Sequence, residues 1–152
     1  MTENSDIIEI RNGRSYPVNR KKLYAAFADP DRLAQWWGPH GFSNTIPVFD
    51  LRPGGMWFVT MTASNGTDFE NRWTFEEVVE GKLVRAKHHE PVHVFTLEMQ
   101  FSDEPDGSRL DWLMVFDRTE ENEAIEKFLH AANEQNLERL ETLLTSRRGD
   151  RK

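Results

Sequence analysis

NEAIEKFLHAANEQNLERLETLLT, residues 122–145, holds no Pro or Gly, and places Ile125, Phe128, Leu129, Ala132, Leu140 and Leu143 at helical spacing. About 24 residues at ~1.5 Å each make a helix of roughly 36 Å, long enough to cross a whole sheet. What precedes it is a sheet in need of a cover. Runs at 42–51, 56–62, 68–79, 83–89, 93–101 and 109–116 alternate polar and apolar residues. Pro53-Gly54-Gly55, Asn65-Gly66, Glu80-Gly81, Glu90-Pro91 and Pro105-Asp106-Gly107 punctuate them with turns. A period of two gathers Trp57, Val59 and Met61 on one face, with Phe69, Asn71, Trp73 and Phe75, then Val84, Ala86 and His88. His93, Phe95, Leu97, Met99 and Phe101 continue it, as do Leu110, Trp112, Met114 and Phe116. The other face carries Glu70, Arg72, Thr74 and Glu76, as in an antiparallel sheet wet on one side.

Upstream, residues 6–12 read as a short edge strand ending at Gly13. Asn19 caps a helix over 20–27. Asp29 with Pro30 starts a second short helix that stops near Trp37, before Gly38-Pro39. The reading is one α+β domain over residues 6–145, β-α-α-β6-α, with an antiparallel sheet of about seven strands. Residues 1–5 and 146–152 are expected to be disordered tails.

Composition narrows the function. The chain has 152 residues, 26 Asp/Glu against 19 Lys/Arg, a net charge of −7 and no Cys, so disulfides, thiolate zinc and cysteine nucleophiles are excluded. An acidic surface repels phosphate backbones, and the only basic patch is Arg147, Arg148, Arg151 and Lys152; nucleic acid is not an expected partner. No stretch has the ~20 apolar residues that span a bilayer, and no cleavable leader is evident, so no membrane insertion and a cytoplasmic location are expected. Ten Phe, five Trp and two Tyr against a modest apolar content mean that a few large rings line the interior. Such rings either pack as an ordinary core or enclose a cavity.

Three stretches carry a family resemblance. Residues 28–42, ADPDRLAQWWGPHGF, resemble the DP-x-x-L-x-x-WWGP-x-GF signature of the heat-shock protein 90 ATPase activator homologue family, within the START-like, polyketide-cyclase-related superfamily. Residues 50–57, DLRPGGMW, resemble its hairpin, and residues 134–140, EQNLERL, its final-helix motif. The similarity implies the helix-grip (Bet v-like) fold, a curved sheet gripping the long helix around an elongated hydrophobic cavity. Known relatives variously bind lipids, steroids or polyketides, activate a chaperone ATPase, sequester reactive compounds or cyclise polyketides. One fold hosting several activities leaves the site to decide. The chain departs from the family at Asn133, where relatives usually carry Trp, and at Ala132, where Gly is usual.

The candidate ligand-binding residues follow from the inward faces: Trp37, Trp57, Met61, Asn71, Trp73, Phe75, His88, Phe95, Leu97, Met99, Trp112 and Met114 on the sheet side. Phe128, Leu129, Ala132, Asn133 and Asn136 join them from the helix. Asn133 and Asn136 either orient a ligand or bond Asn71, backbone or solvent. Trp36-Trp37 before Gly-Pro-His-Gly is either a lid or an anchor for the short helices, with His40 exposed. His88, His89, Glu90 and His93 fall short of a metal site, because adjacent strand residues point to opposite faces and at most two imidazoles share one side. No metal, cofactor or catalytic residue is assigned: G-x-S-x-G is absent, and alternation places Glu70, Arg72 and Asp111 on the outer face.

The leading expectation is a small-molecule binding protein holding a hydrophobic or aromatic ligand between sheet and final helix. One alternative is a protein-interaction domain modulating a chaperone ATPase, although the eukaryotic activators carry an additional N-terminal domain for which the chain has no room. The other is a polyketide cyclase-like enzyme or small hydrolase. Either a monomer or a homodimer paired through a strand edge is compatible with the sequence.

Overall fold

The computed structural model describes residues 6–90 and 94–145, so His93 and both terminal segments lie outside the described residues. Asn19 accepts from Lys22 N at 2.8 Å and opens α1 (Arg20–Ala28). Asp29 accepts from Asp31 N at 3.0 Å and, with Pro30 in the first turn, opens α2 (Pro30–Trp36). These helices separate β1 (Ile7–Tyr16) from β2 (Ser43–Phe49), after which β3 (Met56–Thr62), β4 (Asp68–Val79), β5 (Leu83–Glu90), β6 (Phe95–Glu104) and β7 (Gly107–Asp117) follow as hairpins. The seven strands form one antiparallel sheet in the order β1-β7-β6-β5-β4-β3-β2.

The long helix, α3 (Glu120–Thr145), starts two residues earlier than its apolar period suggests. Thr119 Oγ1 accepts from Asn122 N at 3.0 Å, and Glu120, Glu121 and Glu123 in the first turn favour the helix dipole. The first strand, by contrast, outlasts the stop expected at Gly13 and runs to Tyr16. Gly13 faces Asp111 on β7, and a Cβ there would collide with the Arg109 guanidinium, which pairs with Asp111 at 3.0 Å. This glycine admits a close approach and ends nothing.

Alternation along β7 is complete: Ser108, Leu110, Trp112, Met114 and Phe116 are buried and their neighbours are not. Register shifts between Arg72 and Trp73, and between Phe75 and Glu77, bend β4. On the edge strand β2 a shift coincides with Pro47 and spoils that edge for further pairing. Phe27 of α1 fills one end of the resulting concavity, edge-on to Trp57 at 5.4 Å and to Phe75 at 6.4 Å.

The helix meets the sheet with a different face from the one its apolar residues trace. Its buried side chains are Asn133, Asn136, Leu137, Leu140 and Leu144, while Phe128 is 69% exposed and Ile125, Leu129 and Leu143 are half-buried. No residue of α3 before Asn133 is buried. The second half of the helix is therefore its anchor, and the first half stands over the sheet with Leu129 as its packing contact and no fully buried side chain.

Tyr16 ties β1 to that anchored half by donating its hydroxyl to Leu137 O at 3.0 Å. Burial pushes its hydroxyl well above the ordinary phenol range, against the opposing pull of Arg14, with Glu141 and Glu134 adding to the rise. Above pH ~10 the unfolded chain releases this proton while the folded one retains it, so stability is full below that pH and falls as pH rises beyond it. Urea midpoints measured between pH 8 and 11 should decline, and Tyr16→Phe should flatten the decline while costing about 1 kcal/mol at neutral pH.

Candidate functional site

Between the first half of α3 and the sheet lies a cavity of about 200 Å³. Met61 of β3, Asn71 and Trp73 of β4, His88 of β5, Phe95 and Leu97 of β6, and Trp112 and Met114 of β7 form its sheet wall. Phe128, Leu129, Ala132, Asn133 and Asn136 form its roof. The turn after α2 closes one end with Trp37, Gly38 and Pro39. Of the candidate residues, Trp57, Phe75 and Met99 stand apart from this group. They are fully buried, and Phe27 covers the first two from α1, so that end of the concave face is solid core.

All five tryptophans form one cluster. Trp57 stacks on Trp73 at 4.8 Å, Trp37 meets Trp57 edge-on at 4.9 Å and Trp112 at 5.4 Å, and Trp36 touches Trp37 at 5.5 Å. The two indoles of the Trp-Trp pair divide the roles expected of them jointly. Trp36 donates from Nε1 to Ala26 O at 2.9 Å, anchoring α2 to α1, whereas Trp37 turns inward as a cavity wall. The indole Nε1 atoms of Trp57, Trp73 and Trp112 are buried and have no acceptor.

The amides of the roof are already bonded within the fold. Asn136 Nδ2 donates to Trp36 O at 3.0 Å and its Oδ1 accepts from Gly38 N at 3.3 Å, so this residue staples the α2–β2 turn to α3. Asn133 Nδ2 donates to Asn12 Oδ1 at 3.1 Å and lies 3.0 Å from Met114 Sδ. Asn12 in turn donates to Glu134 Oε2 at 2.7 Å and to His130 O at 3.3 Å. Sequence reasoning gave Asn12 no role. The signal was available, because Asn12 continues the inward alternation of Ile8 and Ile10, and a polar residue at that position needs a buried partner.

Gly38 and Pro39 are further cavity residues not singled out beforehand. Gly38 adopts φ 91°, a backbone conformation that favours glycine, and a Cβ there would also displace the Met61 methyl, 2.6 Å away. Three more residues of α3 hold the same turn. Arg139 donates to five of its carbonyls, Gln135 Oε1 accepts from His40 N at 3.1 Å, and His40 Nε2 lies 2.8 Å from Glu138 Oε1 with its ring exposed. Burial holds the Arg139 guanidinium below the usual arginine range.

On the sheet wall, His88 Nε2 and Asn71 Oδ1 are 2.7 Å apart. Asn71 Nδ2 donates to Phe69 O at 3.0 Å, which leaves Oδ1 facing the imidazole, so His88 Nε2 is the donor. The imidazole stacks on Phe95 at 4.6 Å and meets Trp73 edge-on at 4.8 Å. His89 points the opposite way, to Thr74 Oγ1 at 2.8 Å. Glu70, Arg72 and Asp111 are exposed on the outer face. No group of three or more metal-ligating side chains occurs among the described residues.

A seven-stranded antiparallel sheet closed by two short helices and a long C-terminal helix, with a cavity beneath that helix, places the protein in the helix-grip class of α+β folds. Residues 17–145 match the family described as Activator of Hsp90 ATPase homolog 1-like protein, and the chain belongs to that family. Solved structures share the fold at low identity. A protein from Nitrosomonas europaea superposes with a TM-score of 0.80 at 23% identity, covering 90% of this chain and 94% of that one. A protein from Arthrobacter aurescens gives 0.83 at 18%, covering 90% and 86%. The AHSA1 protein from Silicibacter pomeroyi gives 0.73 at 22%, covering 90% and 97%. No curated protein matches the chain. No helix among the described residues is long and apolar enough to cross a membrane.

Proposed function

We propose that this protein binds a small hydrophobic or aromatic molecule in the cavity between its sheet and α3. The observation that carries the reading is the void itself: about 200 Å³ walled by Trp37, Trp73, Phe95 and Trp112 and roofed by the loosely packed half of the helix. The space is half open to solvent, is somewhat larger than an engineered benzene-binding cavity of about 150 Å³, and presents almost wholly apolar atoms, so a ring can seat itself against the indoles. The amides around it are bonded within the fold, which suits a binding wall more than a catalytic one. His88 faces a carboxamide, and Glu70 and Asp111 are exposed on the outer face. A fragment panel followed by two-dimensional NMR tests the reading. Saturable shifts should cluster on Gly38, Ala132, Asn133 and the indole protons of Trp37, Trp73 and Trp112. Shifts scattered over the outer face, or none with any fragment, would sink it.

The family description favours a second reading, an interaction domain that stimulates a chaperone ATPase. Its test is the ATPase rate of the chaperone in the presence of this protein. A saturable increase supports it, and an unchanged rate at high protein concentration removes it.

A further inference from the structure

The size, charge and unspent hydrogen-bonding capacity of the cavity narrow its ligand further, on the premise that it is a ligand site at all. A void of about 200 Å³ lies below the roughly 300–1,000 Å³ of drug-sized pockets and somewhat above the ~150 Å³ that admits benzene. One substituted ring or two fused rings fit within it, whereas a sterol or a fatty acyl chain would leave most of its length outside its open side. No Asp, Glu, Lys or Arg is among the described residues lining it, and its imidazole, His88, donates to Asn71. The Arg139 guanidinium, which α3 lays against the end turn, is committed to five backbone carbonyls. A carboxylate or phosphate entering here would lose its hydration with no cation to meet it.

The indole N–H groups of Trp73 and Trp112 have no acceptor among the described residues, but they are themselves fully buried and do not face the pocket space. One observation defines the polar complement. Asn71 Oδ1 uses one of its two lone pairs on His88 and can accept one more proton. A hydroxyl is a small neutral group that can donate to it. We propose that the cavity takes a neutral aromatic alcohol of one or two rings, its ring among the indoles and its hydroxyl donating to Asn71 Oδ1.

Calorimetric titration with 2-naphthol, naphthalene, 2-naphthoate and cholesterol tests this, together with the Asn71 side-chain amide NMR signals. 2-Naphthol should bind roughly five- to tenfold more tightly than naphthalene, the ratio that one hydrogen bond supplies. It should also shift the Asn71 side-chain amide protons, which naphthalene should leave in place. Naphthoate and cholesterol should not saturate. Asn71→Leu should bring naphthol down to the affinity of naphthalene; the wild-type comparison stands by itself should that variant misfold. Equal affinity for naphthol and naphthalene, or saturable binding of naphthoate or cholesterol, would overturn the ligand class while leaving the cavity a binding site. Failure of these probes and of the whole fragment panel would overturn both.

Discussion

Arg139→Ala should lower stability by roughly 3–5 kcal/mol, the largest effect expected of any single exposed-to-half-buried position in this chain. Nη1 donates to the carbonyls of Trp37, Gly38 and Pro39, and Nη2 to those of Gln35 and Phe42, all between 2.9 and 3.2 Å. One guanidinium thereby gathers the end of α2 and the whole turn to β2. This turn has no ladder of its own, and among the described residues no carboxylate pairs with Arg139, so the charge is balanced by carbonyl dipoles alone. On its removal Trp37 O keeps Asn44 Nδ2 at 2.9 Å and Pro39 O keeps Phe42 N at 3.4 Å, so the loss falls on the carbonyls of Gly38, Phe42 and Gln35, each costing about 1–3 kcal/mol where water cannot reach. Arg139→Lys should recover less than half of the loss, since three ammonium protons cannot serve five carbonyls spread over eight residues. Urea unfolding at constant m measures both. Because Trp37, Gly38 and Pro39 form the end wall of the cavity, the same variant should weaken ligand uptake even where the fold survives.

The clamp also explains why two motifs distant in sequence carry the family resemblance together. The turn within ADPDRLAQWWGPHGF and the EQNLERL stretch meet through Gln135, Asn136, Glu138 and Arg139. Their joint occurrence reports a structural junction.

The sheet wall was legible because strand side chains alternate strictly, so reading every second residue placed Asn71, Trp73, His88, Leu97, Trp112 and Met114 on one surface. Where that surface is core and where it is cavity depends on what covers it, and Phe27 lies on a helix some thirty residues upstream of Trp57. Alternation therefore could not separate Trp57, Phe75 and Met99 from the wall. The helix was less legible. Its apolar residues outline a stripe centred near Leu129, yet the anchoring face runs through Asn133, Asn136, Leu137, Leu140 and Leu144. The two carboxamides looked like ligand contacts because their partners, Asn12, Trp36 and Gly38, come from elements about a hundred or more residues away. A buried amide announces a need for partners and says nothing of where they are.

Ala132→Phe should abolish ligand binding, by a hundredfold or more, without unfolding the protein. Ala132 lies in the roof one residue before the anchored half of α3, with a half-buried methyl at the cavity. A phenyl ring placed there occupies most of a void that is only modestly larger than one ring needs, so ligand and side chain compete for the same space. The added ring buries apolar surface that α3 at present leaves unpacked, at ~25 cal/mol per Å², so the urea midpoint should hold or rise. Where the fit is imperfect, overpacking costs about 1–3 kcal/mol, and the half of the helix before Asn133 can move outward to relieve it because it has no buried side chain to lose. Ala131→Phe, one residue away and exposed, provides the control: it adds the same ring and should leave binding unchanged. Should Ala132→Phe bind as tightly as the native chain while keeping its native spectrum, the ligand does not lie beneath the helix. Equal weakening by both variants would instead trace the loss to a general disturbance of α3 and leave the cavity without its assigned role.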